Sequence, residues 1–318
     1  MSQILTKVLD HTPAFLKQRT VWLVSTFLTI FNTASLFYIV YQNRSSLVAF
    51  HWQIEWRFVA ISFFFYSVNL LIVVFGWFQL VRHFHVEGTF RTHFEIFVLN
   101  ELSKRVPGKF WYVAGRIMMY QQVGIRKTEV AVASGLETVF MMNGALMGYL
   151  LSAPFAHKGE HIALSLIALC LISFLFIHPD FINWLLRRMK RRQIMEQLPV
   201  VQLLKWLLLY GSGWLCGGTM LYWWLRALDP VASIPLANII LIWALTGIVS
   251  NLMWFLPGTF GVRELALTVL IGQYMPASTA LVGAILLRVI LLGYQIIFGV
   301  GVLLLRTRGE RISEVTPY

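Results

Sequence analysis

Charge is scarce in this chain. Asp, Glu, Lys and Arg make up 13% of its 318 residues, where a water-soluble domain carries about a quarter. That shortage excludes an ordinary solvated surface over a chain of this size. Acidic residues are scarcer still, 14 against 26 Lys and Arg, which leaves a formal net charge of +12. Cysteine is nearly missing. Cys170 and Cys216 both lie in apolar runs, which argues against a disulfide framework and reads as buried apolar thiols. The sequence has no phosphate-cradling GxxxxGK[ST], no HExxH and no nucleophile elbow, so the commonest nucleotide, zinc-protease and hydrolase chemistries lack their signatures.

What fills the chain is hydrocarbon. Hydrophobic residues reach 58% and mean hydropathy is +0.70. About 20 apolar residues carry a helix across a bilayer. Seven segments meet that length: 21–41, 57–81, 128–152, 160–178, 200–226, 234–256 and 279–305. The first follows Lys17 and Arg19 and is too far in and too long for a cleaved signal peptide. The expected class is therefore an all-α integral membrane bundle of about seven full spans. Two further apolar pieces, 84–122 and 260–275, are too short or too polar to count and are expected as Pro-Gly-broken or re-entrant helices. The 12 Trp, 11 Tyr and 24 Phe read mainly as interfacial belts, as at Tyr222-Trp223-Trp224.

The basic residues sit between the runs, so topology explains them better than nucleic acid does. They fall in the N-terminal tail, in 82–127, in Arg187-Arg188-Met189-Lys190-Arg191-Arg192 with Lys205, and in Arg306, Arg308 and Arg311; the other connections hold only Arg44, Arg57, Lys158 and Arg226. The positive-inside rule puts both termini and the two basic loops in the cytoplasm. The expected location is the cytoplasmic membrane, with a tail at 1–20, one transmembrane domain at 21–305 and a tail at 306–318. Only three long runs separate the 187–192 loop from the C-terminus. Parity then requires 260–275 to cross, or nearly cross, while the two arms of 84–122 return to their own side.

A repeat follows from this. Leu102 to Phe110 matches Leu252 to Phe260, with Leu, Pro, Gly and Phe in common at an offset of 150. Around it, 57–81 corresponds to 200–226, 84–106 to 234–256, 110–124 to 260–275 and 128–152 to 279–305. Units of about 57–153 and 200–305 would run in opposite directions. Inverted repeats with broken helices point to a transporter type of site at the breaks, because non-helical backbone at membrane depth survives only in protein or beside a wet cavity. Pro107-Gly108 and Pro257-Gly258 are the expected breaks.

Charges near the breaks are the candidate site. Lys104, Arg105, Lys109 and Arg116 surround the first, and Arg263 and Glu264 the second; Glu137 and Arg288 lie well inside long runs. A charge at mid-span costs at least about 2.5–3.5 kcal/mol on insertion scales and is usually functional. Glu137 and Arg288, 151 apart and opposite in sign, are expected to meet in an ion pair or shared network. The cations suit an anionic headgroup, since arginine binds phosphate through two parallel bonds and lysine adds a point charge. They would equally serve as cytoplasmic anchors. His83, His85 and His93 share one stretch but lack the companions of a metal site; no metal or cofactor is expected.

The pattern Asn100…Pro107-Gly108…Gly115-Arg116…Gly124, Leu136-Glu137, Pro257-Gly258-Thr259-Phe260-Gly261-Val262-Arg263-Glu264 and Leu286-Leu287-Arg288 resembles the transmembrane, flippase-like region of lysylphosphatidylglycerol synthases, which also occurs in stand-alone form. The likeness spans roughly 20–305. It departs at Glu137-Thr138, where the family usually has Glu-Arg, and at Lys109-Phe110-Trp111, where small residues are commoner. The resemblance implies translocation or binding of a phosphate-bearing lipid: a phospholipid, an aminoacyl phospholipid or a polyprenyl-phosphate carrier. The soluble synthase half of the bifunctional relatives has no counterpart in these 318 residues, so aminoacyl transfer is not expected. Lys104, Arg105, Lys109, Arg116, Arg263 and Arg288 would hold the phosphate, with Glu137 and Glu264 as their counter-charges. An intramembrane transferase, or an accessory subunit of a lipid or glycan synthesis enzyme, are the other readings.

Overall fold

A computed structural model describes most of 54–101, 109–156, 200–230, 234–252 and 262–315, with a few residues between 38 and 48 and between 178 and 184. Among the described residues every regular element is helical. Beside a five-residue helix at Arg44–Val48 and a 3-10 turn at Ala153–Phe155, eight longer helices are seen among the described residues: α1 (Trp56–His83), α2 (Phe90–Glu101), α3 (Lys109–Gln122), α4 (Lys127–Ser152), α5 (Val200–Leu228), α6 (Leu236–Leu252), α7 (Val262–Ile271) and α8 (Ala277–Val315).

Three helices, 56–83, 127–155 and 279–305, are long and apolar enough to cross a membrane. They coincide with the expected runs 57–81, 128–152 and 279–305, and they make the chain a membrane protein. At 1.5 Å per residue, the 28 residues of α1 extend about 42 Å, beyond a hydrocarbon core of about 30 Å. Tyr66, Leu70, Val73, Val74, Trp77, Leu80 and Val81 form its buried stripe, at the three- and four-residue spacing of one helical face. Phe64, Leu71 and Phe75 stay exposed on the other side. A helix apolar all round belongs in a lipid environment rather than in water.

Within the run 234–256 the described part, Leu236–Leu252, is helical, and residues 253–256 lie outside the described residues. Helix α8 carries the expected span 279–305 and continues as helix to Val315, through most of the stretch expected as a tail. Helix α5 is 29 residues long, but its glycines, tyrosine and tryptophans keep it out of the apolar class. The runs 21–41 and 160–178 lie outside the described residues apart from isolated positions.

Helix α5 is the centre of the bundle, packing most extensively on α1 and then on α4 and α6. Small residues allow the close approach. A Cβ on Gly144 of α4 would come within 2.9 Å of the Tyr210 backbone, and one on Gly218 within 2.7 Å of the Ile240 Cα. Around this centre the helices follow each other as long, short, short, long, twice. Contacts follow the same order: α2 packs on α8 and α6 on α4, while α3 packs on α4 and α7 on α8. Rings close the α1–α8 seam, with Phe63 and Tyr66 at 4.8 and 5.1 Å from Tyr294.

Candidate functional site

Arg116 lies midway along α3 with no exposed surface. Its Nη1 donates to Glu137 Oε2 on α4 at 2.5 Å, and its Nη2 donates to the Tyr112 hydroxyl. A buried, uncompensated charge would be strongly destabilising, and aromatic faces supply the rest of the compensation. The guanidinium carbon sits 3.8 Å from the Trp77 ring centre, 4.4 Å from Tyr112 and 4.9 Å from Phe97. Local helix geometry builds half of this cage, because residues four apart share a face: Tyr112, Arg116 and Tyr120 occupy one stripe of α3. Asn100 at the end of α2 donates to the Tyr112 carbonyl at 3.0 Å, fixing the short helices against each other.

One turn further on, Trp77 Nε1 donates to the Tyr120 hydroxyl at 2.7 Å. The same hydroxyl lies 2.7 Å from His93 Nδ1. With the tryptophan as donor, the phenol proton points to Nδ1, and the imidazole proton is assigned to Nε2. Burial pushes His93 down to about 4, so the ring is neutral at ordinary pH.

Several polar atoms around the pair have no hydrogen-bond partner: Arg116 Nε, Glu137 Oε1, Ser134 Oγ, Tyr210 Oη and Asn100 Oδ1. Buried polar groups are satisfied in the great majority of cases. A set of orphans around one ion pair therefore marks a place where a polar ligand or water belongs.

The second half carries a more open version. Arg288 of α8 donates from Nη1 to Glu264 Oε1 of α7 at 3.0 Å, with side-chain exposures of 13% and 15% against 0% and 4% for the first pair. Glu264 lies in the first turn of α7, where the helix dipole favours a carboxylate. Arg263 stacks its guanidinium 4.2 Å from the Trp243 ring centre. The two pairs are mirror versions in charge. In the first half the short helix brings the cation and the long helix the carboxylate; in the second half the roles are exchanged.

Of the sequence-predicted residues, the structure thus brings Arg116 to Glu137 and Arg288 to Glu264. The expected meeting of Glu137 and Arg288 does not occur: each finds its partner inside its own half, because neighbouring short and long helices pack side by side. Lys109 opens α3. Lys104, Arg105, Pro107, Gly108, Pro257 and Gly258 lie outside the described residues, as does His85. His83 faces the Phe84 and Trp206 rings. No group of three His, Cys, Asp or Glu among the described residues is placed to hold a metal. Sequence reasoning missed Trp77, Tyr112, Tyr120 and Tyr210, having read the aromatics as interfacial. The available signal was the Tyr-x3-Arg-x3-Tyr spacing of α3.

No protein-family model matches the chain, and no curated protein sequence matches it.

Proposed function

We propose that this protein is a lipid flippase or transporter that moves a phosphate-bearing lipid across the cytoplasmic membrane without hydrolysing ATP. One observation carries the reading: each half holds an arginine–glutamate pair across its short and long helices, with the charges exchanged between halves. Charge inside an apolar bundle is retained chiefly for passage of a polar group, and guanidinium is the side chain best matched to phosphate. Lipid phosphate would exchange for carboxylate at Arg116 and later at Arg288, so no stage leaves a buried cation unpaired. Arg263, Lys104, Arg105 and Lys109 would serve entry and exit of the headgroup.

The long–short–short–long order and the exchanged packing of α2 with α8 and α6 with α4 support an inverted repeat. With the charge distribution, this favours about seven spans and cytoplasmic termini. These features support the likeness to the flippase-like region of lysylphosphatidylglycerol synthases that the sequence motifs carry. A transferase acting within the membrane would need a carboxylate to act as base; Glu137 and Glu264 face arginines at 2.5 and 3.0 Å, which leaves the buried Glu101 of α2 as the carboxylate that reading would have to use. Vesicles containing only this protein separate the readings. Nucleotide-independent movement of a fluorescent phospholipid is the expected result. A chemically altered lipid would indicate a transferase, and movement only with a second protein would indicate an accessory subunit.

A further inference from the structure

Tyr210 comes from α5, in the second half of the chain, yet its ring packs against α4 and α1, the helices that carry Glu137 and Trp77 of the first half's site. It stacks on Phe140 with ring centres 6.1 Å apart and planes within 11°, and Phe140 lies one helical turn after Glu137. The Tyr210 ring also meets Gly76, next to the Trp77 whose ring lies against Arg116. A Cβ there would stand 3.0 Å from the Tyr210 ring and 3.3 Å from its hydroxyl. Gly144 clears the Tyr210 backbone in the same way. The phenol is fully buried and has no hydrogen-bond partner. Two glycines and a stacked ring thus hold a bare hydroxyl between the helices that frame an ion pair with bare edges of its own.

The chemistry of those edges is uneven. Arg116 Nε, Tyr210 Oη and Ser134 Oγ, one turn before Glu137, can all donate, whereas Glu137 Oε1 and Asn100 Oδ1 accept. Two hydroxyl donors together with the unpaired Nε of the guanidinium suit the oxygens of a phosphate group. We propose that Tyr210 and Ser134 complete a phosphate-headgroup site with the Nε edge of Arg116, so that headgroup binding clasps the two halves of the chain together. This rests on the transporter reading above and adds to it the residue by which the second half engages a ligand held in the first.

The hydroxyl's state without ligand makes the test sharp. A phenol with no partner contributes nothing to the empty protein by hydrogen bonding, and its removal with the ring retained is neutral or stabilising. The experiment follows thermal unfolding of the full chain in detergent, titrated with dioctanoyl phosphatidic acid and separately with inorganic phosphate. Tyr210→Phe should unfold at the wild-type temperature or above it without ligand, yet need about tenfold more phosphatidic acid for the same stabilisation. Ser134→Ala should weaken it less. A Tyr210→Phe protein with the full lipid response overturns the proposal, as does one that is less stable than wild type when empty, which would make the hydroxyl a water-bridged scaffold. Arg116→Lys and Arg116→Gln separate the two levels. If they lose the response while Tyr210→Phe keeps it, only the role of Tyr210 fails; if they too keep it, the phosphate reading itself fails. An equal response to inorganic phosphate would support Tyr210 as a phosphate ligand and remove the lipid from the parent reading.

Discussion

Replacing Glu137 by Gln leaves Arg116 buried with its principal counter-charge removed. The size of the effect follows from the surroundings: Arg116 has no exposed side-chain surface and Glu137 only 4%, so water cannot take over the guanidinium. Breaking such a pair from one side costs about 3–5 kcal/mol. The three aromatic faces around Arg116 each return only about 0.5–2 kcal/mol and are already engaged in the native state. The comparison variant is Glu264→Gln, whose arginine is 13% exposed; there a loss of about 1–3 kcal/mol is expected from an unmade charged hydrogen bond. Denaturant unfolding in detergent, run as a double-mutant cycle with Arg116→Gln, is the assay. The double variant Glu137→Gln/Arg116→Gln should be less damaged than the sum of its single variants, because the second change removes the stranded charge. Strict additivity, or a Glu137→Gln effect no larger than that of Glu264→Gln, would refute the view of Arg116–Glu137 as the dry pair of the two.

Further outcomes can be checked alongside. Arg263→Gln and Arg288→Gln should each lower lipid transport at least about tenfold in reconstituted vesicles while leaving a folded protein, with Arg→Lys only partly tolerated, since lysine keeps the charge but not the planar fork. Gly144→Ala should cost about 1–3 kcal/mol of stability by overpacking against the Tyr210 backbone, whereas Gly135→Ala, whose Cβ would meet nothing within 4 Å, should be neutral or stabilising by up to about 1 kcal/mol. His93, held near 4 by burial, binds a proton more readily in the unfolded chain, where its value is about 6.5. Stability should therefore fall as pH drops from about 6.5 towards 4, and a His93→Gln variant should show a flatter pH dependence over that window in thermal unfolding.

The apolar runs at 57–81, 128–152 and 279–305 were legible because hydrophobic length is a local property. The presence of Arg116, Glu137, Glu264 and Arg288 as costly charges was legible for the same reason. Their pairing was not. Glu137 chooses Arg116 over Arg288 because α3 packs along α4, a non-local fact that symmetry of offset alone cannot supply. The aromatic cage was hidden by composition: abundant tryptophan and tyrosine suit a membrane interface, and nothing local separates the fully buried Trp77 from the half-buried Trp223. Helix α8 ran past its expected end because charge ends an apolar span without ending a helix. Its last residues include Arg306, Arg308, Glu310, Arg311 and Glu314, where arginine and glutamate are good helix formers and opposite charges recur three or four apart.

The most direct test of the account is translocation itself. The purified protein is reconstituted alone into vesicles containing a trace of head-labelled fluorescent phospholipid, and a membrane-impermeant quencher is added outside. With no nucleotide present, wild-type vesicles should lose fluorescence well beyond the outer-leaflet half, whereas Arg288→Gln vesicles should pass that half at least about tenfold more slowly, Arg116→Lys vesicles should also pass it more slowly than wild type, and protein-free vesicles should stop there. Wild-type vesicles that also stop at the half, or variant vesicles that continue past it at the wild-type rate, would contradict a phosphate-lipid pathway through the two arginine–glutamate pairs.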